Sequence, residues 1–321
     1  MNRRNFMALA TGALAWPIAV RAQDPSRVYR ILWLSTASGA DPFLEGFREG
    51  LRAQGYVEGK NIVLQTHYGD VQGLRDIASN LKRGDADLAV SSGVATRAVK
   101  DVTEIPVLFA QSGDPVALGI VKSLAQPGTT FTGTTFLSLE LAGKRVELLK
   151  DVFPRLHRLA VLSNSDHPGE QSEWRATQQA AKALDVEPVY IPFFGPREFD
   201  AALASVAGAK ADAMLALPEP VTLINRKRVA QFAVDQRLPS MFGWSEYCEA
   251  GGLLSYGANQ RSTYFLLAKY ADRILRGEKP AELPVVQPEK FELAVNLKTA
   301  RHFGEELDLP SILFRASKVL E

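Results

Sequence analysis

Six clusters of polar or aromatic residues stand directly after short apolar runs and are where this chain can meet a ligand. They are Ser35-Thr36, Ser91-Ser92-Gly93, Gln111-Ser112-Gly113-Asp114, Asn164-Ser165-Asp166, Pro218-Glu219 and Gly243-Trp244. In an open parallel sheet the ligand lies outside the carboxyl ends of the strands, so such positions are candidates on topology alone. Their residue types suit hydrogen-bonded capture of a small polar molecule. Ser91-Ser92-Gly93 begins a helix, where free N–H groups and the positive dipole end favour a carboxylate or phosphate, although Ser92 can equally cap its own helix. Asp114 before Pro115 carries the same ambiguity between N-cap grammar and a partner for a ligand cation. Glu219, held between Pro218 and Pro220 after an apolar strand, suits a ligand amine or the first turn of the next helix. Trp244, Tyr247 and Tyr256 offer rings for stacking on a planar ligand or for packing between lobes. Phe43 can roof the same cleft, but helix-to-sheet packing is the plainer account.

Catalytic and cofactor signatures are thin. Gly243-Trp244-Ser245-Glu246-Tyr247 starts like a nucleophile elbow but lacks the closing glycine. His67, His157, His167 and His302 show no metal-ligand spacing, and His167, in a Pro-Gly turn, reads as solvated. Neither a dinucleotide fingerprint nor a phosphate-binding loop occurs, so no catalytic residue, metal or cofactor is expected. Cys248 is the only cysteine; it excludes an intramolecular disulfide and reads as a small buried filler.

The elements that must position these residues alternate between short β-rich runs and helix-length amphipathic segments, the pattern of parallel sheets wrapped by helices. The first series reads strand 29–35, helix 41–54, strand 61–68, helix 72–83, strand 88–91, helix 94–101, strand 107–111, helix 115–125 and strand 130–136. Asp41-Pro42 supplies an N-cap and a first-turn proline, and Gly55 a C′ glycine. Helix 139–152 leads to a second series: strand 158–163, helix 170–184, strand 187–193, helix 198–209, strand 213–217, helix 221–237 and strand 240–242. The remainder is too short for a third lobe. Strand 253–256 and helix 260–276 are expected to return to the first lobe, with strand 291–295 crossing again to the second.

The expected fold is therefore α/β: two doubly wound parallel-sheet lobes joined by three hinge crossovers. Lobe 1 comprises 28–138 with 252–277, lobe 2 comprises 139–243 with 283–321, and the hinge lies near 137–140, 243–251 and 277–290.

The N-terminus reads as an export signal over residues 1–22. Arg3 and Arg4 precede an apolar run, 6–20, that ends in Val20-Arg21-Ala22. That run contains Gly12 and Pro17 and is short of the roughly 20 residues needed to span a bilayer, so cleavage is expected and a stable membrane anchor is not. Either the twin-arginine or the general secretory route fits. Loss of Arg3, Arg4 and Arg21 takes the 37 basic residues to 34 against 36 acidic ones, and a net charge of −2 attracts neither nucleic acid nor an anionic membrane.

Longer blocks carry a family resemblance. Residues 47–62 (FREGLRAQGYVEGKNI), Asp114-Pro115-Val116, Gln126-Pro127-Gly128-Thr129 with Thr132-Gly133, residues 250–257 (AGGLLSYG), and Gln287-Pro288 through Phe291-Glu292-Leu293 to 296–300 (NLKTA) resemble the bacterial ABC-transporter substrate-binding family that includes tryptophan-binding proteins. Relatives often carry Arg-Pro-Gly-Gly-Asn where this chain has 126–130 (QPGTT), and Gram-positive relatives carry a lipobox cysteine that this chain lacks. The resemblance implies a type I periplasmic-binding-protein fold. It also implies a monomeric periplasmic protein that closes over a small organic ligand, an amino acid or aromatic acid, and presents it to an ABC permease. A ligand sensor for a receptor, or a periplasmic hydrolase using Ser245 or Cys248, are the alternatives.

Overall fold

The Asp41 carboxylate accepts from the main-chain N–H groups of Phe43 and Leu44, and Pro42 opens the helix, so the first helix begins where its cap residues predict. The computed structural model describes residues 27–36, 41–82 and 84–321. The expected signal, 1–22, and the predicted helix end at 83 lie outside the described residues.

In the first lobe the order is β1 (Tyr29–Ser35), α1 (Pro42–Ala53), β2 (Ile62–Tyr68), α2 (Val71–Asn80), β3 (Leu88–Ser92), α3 (Val94–Val99), β4 (Val107–Gln111) and β5 (Phe131–Thr135). There follow α4 (Ser138–Val152), β6 (Arg158–Asn164), α5 (Glu170–Ala183), β7 (Glu187–Phe193), α6 (Phe199–Gly208), β8 (Ala213–Ala216), α7 (Pro220–Ile224), α8 (Arg226–Asp235) and β9 (Ser240–Phe242). The chain finishes with α9 (Ser245–Glu249), β10 (Leu254–Ala258), α10 (Gln260–Leu275), β11 (Phe291–Asn296), α11 (Leu297–Ala300), α12 (Pro310–Arg315) and β12 (Lys318–Leu320).

Two sheets result. The first, β2-β1-β3-β4-β5, is parallel throughout, with Trp33 opposite both Thr66 and Val90. The second runs β12-β11-β10-β9-β8-β6-β7, in which β11 is antiparallel to β10. All residues of β4 and β8 are buried, as expected where helices cover both faces of a parallel sheet. One apolar cluster runs unbroken from Ile31, Trp33 and Phe43 in the first lobe through Phe136 and Trp244 to Leu162 and Phe193 in the second. Separate clusters fill the outer face of each sheet.

Three sequence expectations need correction. Strand β10 does not return to the first lobe: Leu254 pairs with Met241 of β9 and with Val295 of β11. The second crossing therefore falls between β10 and α10, at 258–260, instead of at 243–251. Helix α10 does return, packing along α1. The first crossing passes through Leu137, between β5 and α4. On the third, Val286 pairs with Thr134 before the chain enters β11. Residues 115–119 form turns, where a helix over 115–125 was expected, because Gly119 takes a left-handed φ of 64° after a single turn. The helix expected over 221–237 is two, broken at Asn225. No helix among the described residues is long and apolar enough to cross a membrane.

Candidate functional site

Two loops at the carboxyl ends of strands bring the lobes together. One follows β4 (Gln111, Ser112, Gly113) and the other follows β6 (Asn164 to Gly169). Ser112 Oγ and His167 Nε2 share a hydrogen bond of 2.9 Å across the cleft. Beside it the main chains touch: a Cβ built on Gly169 would lie 2.6 Å from Gly113 Cα, and one on Gly113 2.9 Å from the Pro168 carbonyl. Gly93, after β3, faces the other side of the His167 ring at 3.2 Å from such a Cβ. His167 is consequently 7% exposed, and burial lowers its pKa to about 4. The solvated reading of His167 is thus corrected: its local turn is open, and the opposite lobe covers it.

An aromatic contact forms the second bridge. Phe43 and Phe136 of the first lobe meet the Trp244 ring edge-on, with centroids 5.4 and 5.9 Å away. Tyr264 of α10 stacks on Phe43 at 4.8 Å. Phe43 therefore packs within its own lobe and also against Trp244 of the other. Among the described residues, Trp244 Nε1, both amide atoms of Gln111, Thr135 Oγ1 and the Tyr264 hydroxyl are buried without a partner in hydrogen-bonding geometry. Each such group costs about 1–3 kcal/mol, and Gln111, Thr135 and Trp244 stand at or just after strand ends, where a molecule with its own donors and acceptors would satisfy them. The Tyr264 phenol lies near Ser92, and burial raises its pKa well above the usual value.

The other predicted residues divide by what already occupies them. Ser35 is buried and Thr36 half-buried at the end of β1. Ser91 Oγ shares a 2.9 Å bond with Thr96, and Gly93, not Ser92, stands at the N-cap of α3. Asn164 Nδ2 donates to Glu219 at 2.9 Å, and the Glu219 carboxylate also accepts from the N–H groups of Val221, at 2.8 Å, and Thr222. Glu219 is 1% exposed, and burial raises its pKa despite these donors, so it caps α7 from a buried position. Ser165 Oγ lies 3.2 Å from the Tyr190 hydroxyl. Pro218 packs against Gly243.

Three of the predicted ligand residues have their side chains engaged elsewhere or turned to solvent. Asp114 is exposed and takes its capping role, accepting from Val116 N at 2.8 Å. Tyr247 stacks on Phe242 at 4.5 Å and shares a 2.6 Å bond with Thr222, because the turn of α9 folds it back into the second lobe. Tyr256 packs toward Phe291 at the outer face of the second sheet.

Sequence reasoning passed over a buried charged group beneath the loop contact. Arg145 of α4 is 1% exposed and donates through Nε to the Tyr256 carbonyl at 2.8 Å and through Nη1 to the Ser138 carbonyl at 3.3 Å. Burial pulls its pKa down to about 10 and pushes Glu173 of α5 up to about 8. Glu170, Glu173 and Thr177 are all buried and share one face of α5. Their spacing in the sequence is the signal that could have found them.

Cavities of about 360 and 370 Å³ flank the bridged region, one lined by Asp41, Tyr68 and Arg226, the other by Ser112, Leu137 and Glu140. Larger ones, of about 680 and 560 Å³, lie away from the strand ends, beside Arg27 and Glu278 and behind the hinge at Asn259 and Lys290. Among the described residues no three His, Cys, Asp or Glu side chains gather closely enough to hold a metal.

Residues 34–319 match a protein family described as ABC transporter substrate binding protein. A tyrosine-binding protein of Clostridioides difficile is 25% identical over 266 residues, 81% of this chain and 76% of that protein. The structure of an ABC domain in complex with L-Trp, from Streptococcus pneumonia, has a TM-score of 0.79 at 23% identity, covering 90% of this chain and all of that one. The ligand-free, open structure of a substrate-binding protein with adhesive properties from Clostridium difficile covers 91% of this chain and 99% of that one, at 24% identity. Its TM-score is 0.61.

Proposed function

The chain belongs to the ABC transporter substrate-binding protein family, and on that premise we propose that it captures an aromatic amino acid, such as tyrosine or tryptophan, between its lobes and delivers it to an ABC importer. The observation that carries this reading is the junction of Phe43, Phe136 and Trp244 across the cleft, set beside unpartnered buried groups on Gln111, Trp244 and Tyr264. Rings at that junction suit stacking on a planar side chain, and the neutral donors and acceptors suit its polar edge. Tyrosine and tryptophan are the ligands in the names of the related proteins.

Ser35, Thr36, Ser92, Gly93, Gln111 and Ser112 would form one wall, and Asn164, Glu219 and Trp244 the other. Glu219 contributes negative charge near a ligand ammonium while remaining bound to α7. The three crossings form the hinge that opens the cleft. A protein of this role works outside the cytoplasm, which accords with an N-terminal export signal, as a monomer beside its permease. It needs no cofactor and performs no catalysis. Cys248 accords with that reading, since it is buried and its thiol is pushed up to about 12, so it holds little reactive thiolate at neutral pH.

A thermal-shift panel of amino acids, aromatic acids, sugars and purines tests the ligand class. L-tyrosine or L-tryptophan at 100 times Kd should stabilise the mature chain by about 2.7 kcal/mol. Stabilisation by a sugar or purine alone would overturn the assignment.

A further inference from the structure

We propose that closure of the cleft takes up one proton, held by Glu173 beneath the contact between the two lobes and released when they part. The proposal rests on the reading above for its ligand, and on geometry for its mechanism. Glu173 is 1% exposed and neither of its carboxyl oxygens has a hydrogen-bond partner among the described residues. A Cβ on Gly169 would lie 4.0 Å from Glu173 Oε1, which places the carboxyl directly under the Gly113–Gly169 contact. Ser112, from the opposite lobe, lies close enough to ease ionisation and shares its Oγ with His167 Nε2, but its effect is smaller than that of desolvation. The first lobe is thus part of the lid that keeps water from this acid.

The charged groups facing Glu173 do not neutralise it in place. From α4 come Arg145 and Glu140, from α5 Glu170, and from the preceding loop His167. Arg145 favours the carboxylate, yet spends its Nε and Nη1 on carbonyl groups. Glu140 and Glu170 oppose a further negative charge. Glu170 Oε1 accepts from Ser163 at 2.7 Å and Tyr190 at 2.6 Å, donors that Glu173 lacks. Desolvation is the largest effect and favours the acid form, with a pKa of about 8.

Lifting the loop of Ser112 and Gly113 admits water, and the carboxyl returns toward an ordinary glutamate near 4.3. The closed state then binds a proton that the open state lacks, so closure weakens as pH rises between those values and levels off above about 8. An exposed His167 is half protonated at about pH 6.5 and essentially neutral above about 7.5, so it opposes the Glu173 effect by no more than about twofold in the upper part of that window. One linked proton changes affinity tenfold per pH unit, hence by at most about 30-fold between pH 6.5 and 8.

Two readouts on the mature chain test this. Spin labels on Gln72→Cys and Arg197→Cys, one on each lobe, should show the closed population falling from pH 6.5 to 8 without any added ligand. In the neutral mimic Glu173→Gln that population should stay level. Calorimetry with L-tyrosine or L-tryptophan in buffers of different ionisation enthalpy should count up to one proton taken up per binding event in the wild type and in Glu170→Gln, and none in Glu173→Gln. A pH-independent distance in the wild type, or zero proton uptake, would overturn the proposal. If Glu173→Gln does not fold, the wild-type distances and proton count decide alone. If neither amino acid binds, the ligand reading fails while the labelled chain still reports on the proton.

Discussion

Replacing Gly169 with alanine should weaken ligand binding by roughly 5- to 150-fold, because the added methyl collides with the first lobe only when the cleft is closed. The clash is with backbone: Gly113 Cα would stand 2.6 Å from the new Cβ, so no side-chain rotation relieves it. Overpacking of this kind costs about 1–3 kcal/mol, which sets that range of affinity. The φ of 94° at Gly169 adds a penalty of about 1–2 kcal/mol that applies to open and closed states alike, and it appears in the melting temperature instead. Affinity from calorimetry and stability from denaturant titration separate the two. Wild-type affinity in Gly169→Ala would mean that the ligand is held without the lobes meeting at this point.

Removing the Trp244 ring should have the second large effect, and on both quantities. The side chain is 2% exposed and is the piece of the second lobe on which Phe43 and Phe136 converge. Truncation of a buried tryptophan to alanine costs about 3–5 kcal/mol of stability. Affinity for L-tyrosine or L-tryptophan should fall as well, since the same ring closes the cleft. Trp244→Phe keeps most of the apolar volume but deletes the unpartnered N–H, and should lose about 0.5–1.5 kcal/mol of affinity, up to roughly tenfold, if the ligand accepts from it. Equal affinity in wild type, Trp244→Ala and Trp244→Phe would make the ring a structural filler with no part in recognition.

What the sequence made legible was local chemistry. The start of α1 could be read because Asp41, Pro42 and the helix they cap are neighbours in the chain, and the alternation of β and α followed from hydrophobic runs a few residues long. Sheet membership was harder. Residues 253–256 read as a strand correctly, but an apolar strand carries no mark of its partner, and pairing with β9 and β11 put it in the second sheet. His167 illustrates the same limit at the site. A Pro-Gly turn predicts solvent, and only the approach of Ser112 and Gly93 from the other lobe buries the ring. Tyr247 shows a related limit: it lies three residues from Trp244, yet the short helix α9 turns it onto Phe242 and Thr222. Glu219 could be read as the start of the next helix because Pro220 follows it, but its partner Asn164 comes from a distant strand that single positions cannot reveal.

A calorimetric titration of the signal-free chain with L-tyrosine and L-tryptophan at several temperatures decides whether the lobes close on an aromatic amino acid. Saturable one-to-one binding of at least one of them is expected, with a negative heat-capacity change from burial of the ring against Phe43, Phe136 and Trp244. Absence of binding by both, or binding with no heat-capacity change and equal affinity for a non-aromatic amino acid, would contradict it.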